Sequence, residues 1–149
     1  MKISRVYVDT SVYGGIFDEE FRLASLKFFA LIKSGQFTLV TSSIVEKEIQ
    51  PAPPVVRTLF DDILPIAELV SVSQEAIDLR NFYLKHEIVT TRWADDALHV
   101  ALATISDCSM IVSWNFTHIV HFDKIPLYNA VNLMKGYNQI AIYSPLEVI

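Results

Sequence analysis

Apolar positions along the chain follow two periods. One is that of short buried strands: "RVYVD" (5–9) is β-branched and aromatic and ends in an acid. "FTLVTS" (37–42), "SMIVSWN" (109–115) and "IAIYSP" (140–145) read the same way, and a further extended piece is expected at about 66–72. The other period is helical. "FRLASLKFFALIKSG" (21–35) sets Leu23, Leu26 and Ala30 at helical spacing, with Gly35 as a stop. In the same stretch Phe28 and Phe29 with Ile32 read as core or as a dimer interface. "SSIVEKEI" (42–49) opens a helix on a serine, and Glu46 falls three residues after Ser43 as in a capping box. "PAPP" (51–54) ends that helix, because proline lacks a donor and clashes with the preceding turn. More helices are expected at about 55–63, 74–86 and 94–105.

Strands alternating with helices mean βαβ units, hence an α/β fold with a mainly parallel sheet covered on both faces. The 149 residues show no internal repeat, low-complexity tract or linker, which suits one domain with a real core. Hydrophobic residues at 52% against 19% charged fit a globular chain. No apolar run approaches the roughly 20 residues that span a bilayer, so no membrane partner is expected. The opening "MKISRVYVDT" has two basic residues but reaches Asp9 too soon for a signal peptide. A single cysteine, Cys108, excludes an internal disulfide and a cysteine-based zinc cage, and a cytoplasmic location is expected. The net charge of −5, without a long basic run, argues against a protein that holds nucleic acid mainly by a cationic surface. An enzyme that meets phosphate through a metal ion stays compatible with it.

Ligands of such sheets bind beyond the carboxyl ends of the strands. Asp9 ends the first strand, Glu48 lies on the helix after the second, and Asp95 and Asp96 open the helix that feeds the next. Asn115 ends the strand that follows. At a separation of about 4 Å and an effective dielectric near 20, each pair of carboxylates meeting there costs about 4 kcal/mol. A divalent cation removes that cost, and hard oxygen ligands suit Mg²⁺ or Mn²⁺.

In their order and spacing, "VYVDTSVYGG", "SSIVEKEI", "ADDALHVALA" and "IVSWNF" resemble PIN-domain proteins, over nearly the whole chain. That family comprises Mg²⁺-dependent ribonucleases and includes the VapC-type toxins of toxin–antitoxin pairs. The resemblance implies one PIN-like domain over 1–149, with a three-layer α/β/α architecture. It implies an endoribonuclease hydrolysing RNA phosphodiester bonds, the toxin of a type II pair. An RNA substrate, a cognate antitoxin protein and a homodimer would be its partners. The family's first acid falls on Asp9, its second on Glu48 (after Val45), and its third on Asp96, followed by Ala97, Ala101 and Ala103. These three would be the catalytic metal ligands. The fourth acid is missing: "SWNF" offers Ser113 and Asn115, and an amide ligates weakly and without charge. Asp96 is preferred over Asp95 on the family pattern, since periodicity does not separate neighbours on a helix apolar nearly all round.

Other residues have a structural and a functional reading. Asp9 could simply serve the turn after its strand, because Asp-Thr-Ser is good turn chemistry. Thr10 and Ser11 read as a helix cap with a hydrogen bond to Asp9, since no basic partner lies nearby to make them nucleophiles. His99, three residues after Asp96, reads as a core residue or a partner of a ligand before it reads as a ligand itself. Ser113 either orders Asn115 or finishes a strand, and His118 is a loop residue close enough to Asn115 to touch a substrate phosphate. Arg92 and Trp93 offer RNA a charge and a stacking surface, with helix packing as the plainer role for Trp93. Two other functions compete. One is a PIN-fold module that binds RNA or protein with little or no activity, which Asn115 favours. The other is phosphotransfer through a covalent Asp9, which wants a second aspartate where this chain has Ser11.

Overall fold

Valine and tyrosine give β1 (Arg5–Val8) a fully buried tip, which places it at the centre of a five-stranded sheet. The computed structural model describes residues 3–149; Lys2, one of the two basic residues of the opening stretch, lies outside them. With β2 (Thr38–Ser42), β3 (Glu68–Val70), β4 (Met110–Val112) and β5 (Ala141–Tyr143), the strand order is β3-β2-β1-β4-β5. All pairings are parallel, with Tyr7 opposite Val40 on one side and Ile111 on the other.

The connections are α1 (Thr10–Gly14), α2 (Arg22–Lys33), α3 (Ser43–Ile49), α4 (Pro54–Ile63), α5 (Gln74–Lys85), α6 (Ala94–Ile105) and α7 (Ile125–Met134). Helices α1, α3 and α4 pack among themselves, α2 joins them through the 3-10 turn Gly15–Phe17, and α5 packs on α6 and α7. These groups form the outer layers of an α/β/α sandwich. From β1 the chain runs outward through β2 and β3, then returns across the sheet to β4 and β5. Constant crossover handedness therefore puts the two helix groups on opposite faces and makes the β1/β4 boundary a topological switch point, where such folds bind ligands.

Several expectations need correction. The stripe Leu23, Leu26 and Ala30 of α2 faces outward: Leu23 and Leu26 are 67% and 46% exposed, while Ala24, Ser25, Phe28, Phe29 and Ile32 are buried. Gly35 does stop the helix, at φ +85°. The Ser43–Glu46 capping box is absent, because α3 starts one residue earlier. Ser42 is extended and its Oγ accepts from the Val45 N–H at 3.4 Å. Asn115 does not end β4, which stops at Val112. Helix α7 has no counterpart among the expected elements. Among the described residues no helix is long and apolar enough to cross a membrane.

Candidate active site

Asp9 follows β1 directly and takes the N-cap position of α1 in an extended conformation. Its side chain caps nothing. Oδ1 accepts from Ser11 Oγ at 2.6 Å, the expected bond to Asp9, and Oδ2 from Ser113 Oγ at 2.8 Å; Thr10 and Ser11 lie inside α1 and neither caps it. Both serines are themselves fixed: Ser11 Oγ accepts from the Trp114 N–H at 2.9 Å, and Ser113 Oγ from the Asn115 N–H at 2.9 Å. The two loops after β1 and β4 are thus joined through one buried carboxylate, only 4% exposed. Burial pushes the Asp9 carboxyl above the usual range, against the opposing pull of His99 and the two serines. Gly15 allows this closeness, since a Cβ there would lie 2.5 Å from Ser25 Oγ and 2.8 Å from Trp114 Nε1.

Glu48 reaches the same edge from α3. Its Oε1 accepts from Thr10 Oγ1 at 2.7 Å and pairs with His99 Nε2 at 2.7 Å. Burial alone would raise the Glu48 pKa; the His99 bond and charge, with Thr10, outweigh it and hold Glu48 below the usual value. His99, on α6, is buried and carries the complementary shift. Burial favours its neutral form, but the Glu48 bond and the charges of Asp9, Glu48 and Asp96 hold its pKa above the ordinary value. His99 Nδ1 meets Tyr7 Oη at 2.8 Å, and Tyr7 Oη meets Ser42 Oγ at 2.7 Å. Ser42 Oγ accepts from the Val45 backbone, so its own proton is free for Tyr7. A chain Ser42→Tyr7→His99 Nδ1 then leaves the proton on Nε2, facing Glu48.

Asp96 and Asp95 part company on the first turn of α6. Asp95 is exposed, whereas Asp96 is half-buried and its Oδ2 meets His118 Nδ1 at 2.8 Å. Successive helix residues point about 100° apart, which is enough to separate them. The His118 ring stacks on Trp93 (4.5 Å, 29°), and its backbone N–H donates to Asn115 Oδ1 at 2.9 Å. The Asn115 carbonyl oxygen thus closes a turn.

Asp9, Glu48 and Asp96 all stand at the carboxyl edge of the sheet, and His99 feels all three charges. Among the described residues, however, no group of three acids, histidines or cysteines is placed to hold a metal ion. Glu48 and Asp96 each give an oxygen to a histidine instead. By donor chemistry the set still fits a hard divalent cation, since it is all oxygen and carboxylates keep unused acceptor positions. A cleft of about 420 Å³ lies at the opposite, amino edge, lined by Arg5, Thr104, Asp107, Cys108 and Ser109, away from these acids. The acids gather at the carboxyl edge beside the switch point, so that edge is the candidate site. Tyr7 and Ser42 escaped the sequence reading. The available signal was a tyrosine amid the valines of a central strand, whose hydroxyl must find a buried partner.

No family model and no curated protein matches the sequence. Solved structures do match. The VapBC2 complex of Rickettsia felis, bound to a DNA fragment from its promoter, aligns with 94% of this chain and 98% of its own at 13% identity and TM-score 0.59. FitAcB from Neisseria gonorrhoeae aligns with 95% and 98% at 13% identity and TM-score 0.61. Mycobacterium tuberculosis VapC20, a sarcin-ricin loop cleaving toxin, aligns with 91% and 98% at 12% identity and TM-score 0.58. The likeness is one of fold: the chain has the VapC-like PIN architecture.

Proposed function

We propose that this VapC-like PIN fold is a metal-dependent endoribonuclease, the toxin of a toxin–antitoxin pair. The observation that carries the reading is the placement of Asp9, Glu48 and Asp96 at the carboxyl edge of the sheet, beside the topological switch point, where His99 feels the charge of each. Asp9, Glu48 and Asp96 would hold Mg²⁺ or Mn²⁺. When bound, that ion would supply an activated water and offset charge growing on the scissile phosphate.

The chain's own residues prepare the ligands. Ser11 and Ser113 fix both oxygens of Asp9, Thr10 fixes Glu48, and His118 fixes Asp96. Such outer partners set ligand orientation before any ion arrives. RNA as substrate is supported by the likeness to VapC20, described as cleaving the sarcin-ricin loop. An antitoxin protein as partner is supported by the likeness to the VapBC2 complex. A homodimer belongs to the same proposal, and the outward Leu23, Leu26 and Leu146 offer apolar surface for assembly. So does a cytoplasmic location, where such a toxin would meet its RNA.

A binding module with little activity is the second reading. It is favoured by the Asn115 oxygen being held in a turn and by the two histidines that occupy Glu48 and Asp96. Cleavage of an RNA carrying unpaired loops, with Mg²⁺ and with chelator, separates the two. The wild type should cleave only with metal. Asp9→Asn and Asp96→Ala should each lose more than the about 10- to 100-fold typical of losing a ligand's outer partner. Asp95→Ala should stay within a few-fold of wild type. Metal-independent cleavage, or greater damage from the Asp95 change, overturns the assignment.

A further inference from the structure

Beside the acids stands a built aromatic group, joined to them only through the bond from His118 to Asp96. Thr91–Trp93 form a single 3-10 turn at the start of α6, and all three side chains face solvent. Trp93 is 39% exposed, yet it is not a loose surface indole. The His118 ring stacks on it, and the Arg92 guanidinium sits 4.9 Å from the centre of its ring. His118 is pinned three ways: Nδ1 on Asp96, its N–H on Asn115 Oδ1, and its carbonyl accepting from Tyr128 Oη at 2.9 Å. Its Nε2 has no hydrogen-bond partner, and Arg92 forms no ion pair, among the described residues.

We propose that Arg92, Trp93 and His118 form a platform that stacks an unpaired RNA base next to the scissile phosphate. This rests on the ribonuclease reading above. Three planar groups, one of them the permanently charged Arg92 guanidinium, match a flat base joined to an anionic phosphate. Bases inside a duplex are already stacked and cannot reach such a surface, whereas splayed-out bases stack on aromatic rings and guanidinium planes. The location is as telling as the composition. The platform is one imidazole ring away from Asp96, so a base docked on it brings its own phosphate to the acids. In a chain of net charge −5, Arg92 supplies an unpaired cation where a polyanion must approach carboxylates. The pinned His118 means that little ordering remains to be done on binding.

The test is fluorescence anisotropy with a short unstructured RNA and its blunt duplex, using Asp9→Asn protein to prevent cleavage. The single strand should bind more tightly than the duplex. Trp93→Ala should weaken single-strand binding by about 5- to 150-fold, the range of one base–aromatic stack, while Trp93→Phe retains most of it. Arg92→Lys should recover only part of what Arg92→Ala loses, because lysine keeps the charge without the plane. Equal binding of duplex and single strand, or no loss in Trp93→Ala, overturns the platform while leaving a cleaving wild type intact. A wild type that cleaves neither RNA would instead remove the ribonuclease reading itself.

Discussion

Replacing Ser113 by alanine should reveal how the Asp9 charge is tolerated inside the fold. Ser113 Oγ donates to Asp9 Oδ2 at 2.8 Å and accepts from the Asn115 N–H at 2.9 Å, so the change removes both bonds, along with a longer contact of 3.4 Å to Ser11 Oγ. A hydrogen bond to a charged group contributes about 1.5–3 kcal/mol, and one between neutral groups about 0.5–1.5 kcal/mol. Asp9 is buried and its pKa is raised, so ionising it already opposes folding, and this penalty grows as pH rises through its folded pKa. Loss of Ser113 Oγ withdraws support from the charged form and should push the Asp9 pKa further up.

The cost of the lost Asn115 bond is the same whether Asp9 is charged or not, and a double-mutant cycle cancels it. In the Asp9→Asn background, where no charge exists, Ser113→Ala should cost about 1–1.5 kcal/mol less than in the wild type. Urea denaturation of the four metal-free proteins at neutral pH measures this directly. In thermal melts Ser113→Ala alone, which loses both bonds, should lower the midpoint by about 4–18 °C. Equal costs in both backgrounds, with an unmoved Asp9 pKa by carbon-13 NMR, would refute the claim that the serine supports a charge.

Two further outcomes follow from the same network. Asn115→Asp should leave the bond from the His118 N–H in place while adding a negative charge beside the ligands, so Mn²⁺ should bind at least about tenfold more tightly in the absence of RNA. Tenfold needs only about 1.4 kcal/mol, a fraction of the about 4 kcal/mol between unit charges at ~4 Å and an effective dielectric of ~20; unchanged calorimetric affinity and stoichiometry would place residue 115 outside the metal shell. His99 has a raised pKa, against its burial, so its stabilising contribution is full below its unfolded value of about 6.5 and is lost as pH rises through the folded value. Metal-free protein should therefore melt lower as pH climbs past about 6.5, and His99→Gln should shrink that fall; an undiminished fall in the variant would show that other groups cause it.

The parts of this structure that were legible in the sequence are those governed by neighbours along the chain. Helix α6 spans 94–105 as expected, Gly35 stops α2, and the strands fall within their expected segments. Helix α2 shows where periodicity runs out. Leu23, Leu26 and Ala30 make one stripe at helical spacing, and Ala24, Phe28 and Phe29 make another. Spacing alone does not say which one is buried. The second stripe wins because it carries the aromatic volume that fills the core. Its mark in the sequence is blurred by Ser25, a polar residue that is fully buried because its hydroxyl accepts from Trp114 Nε1 at 2.8 Å. That bond spans 89 positions of sequence, which no local pattern records.

Distance in sequence also explains the uneven legibility of the site. Asp9 and Asp96 stand at element boundaries, where the βαβ alternation itself sends them to one edge of the sheet. What controls their charge comes from far away. Tyr7 reaches Ser42 across 35 positions and His99 across 92, and Ser113 reaches Asp9 across 104. Each of these partners has an ordinary reading in its own segment: a core tyrosine, a strand-end serine, a helix histidine. Their joint effect is to hold a buried Asp9 and a half-exposed Glu48 at one edge, with His99 beside them as the group whose protonation their charges favour. Three carboxylates repel wherever they meet, so a fold that assembles them must provide such a partner when no cation is bound. In this chain that partner is buried His99, held by Tyr7 on one side and Glu48 on the other.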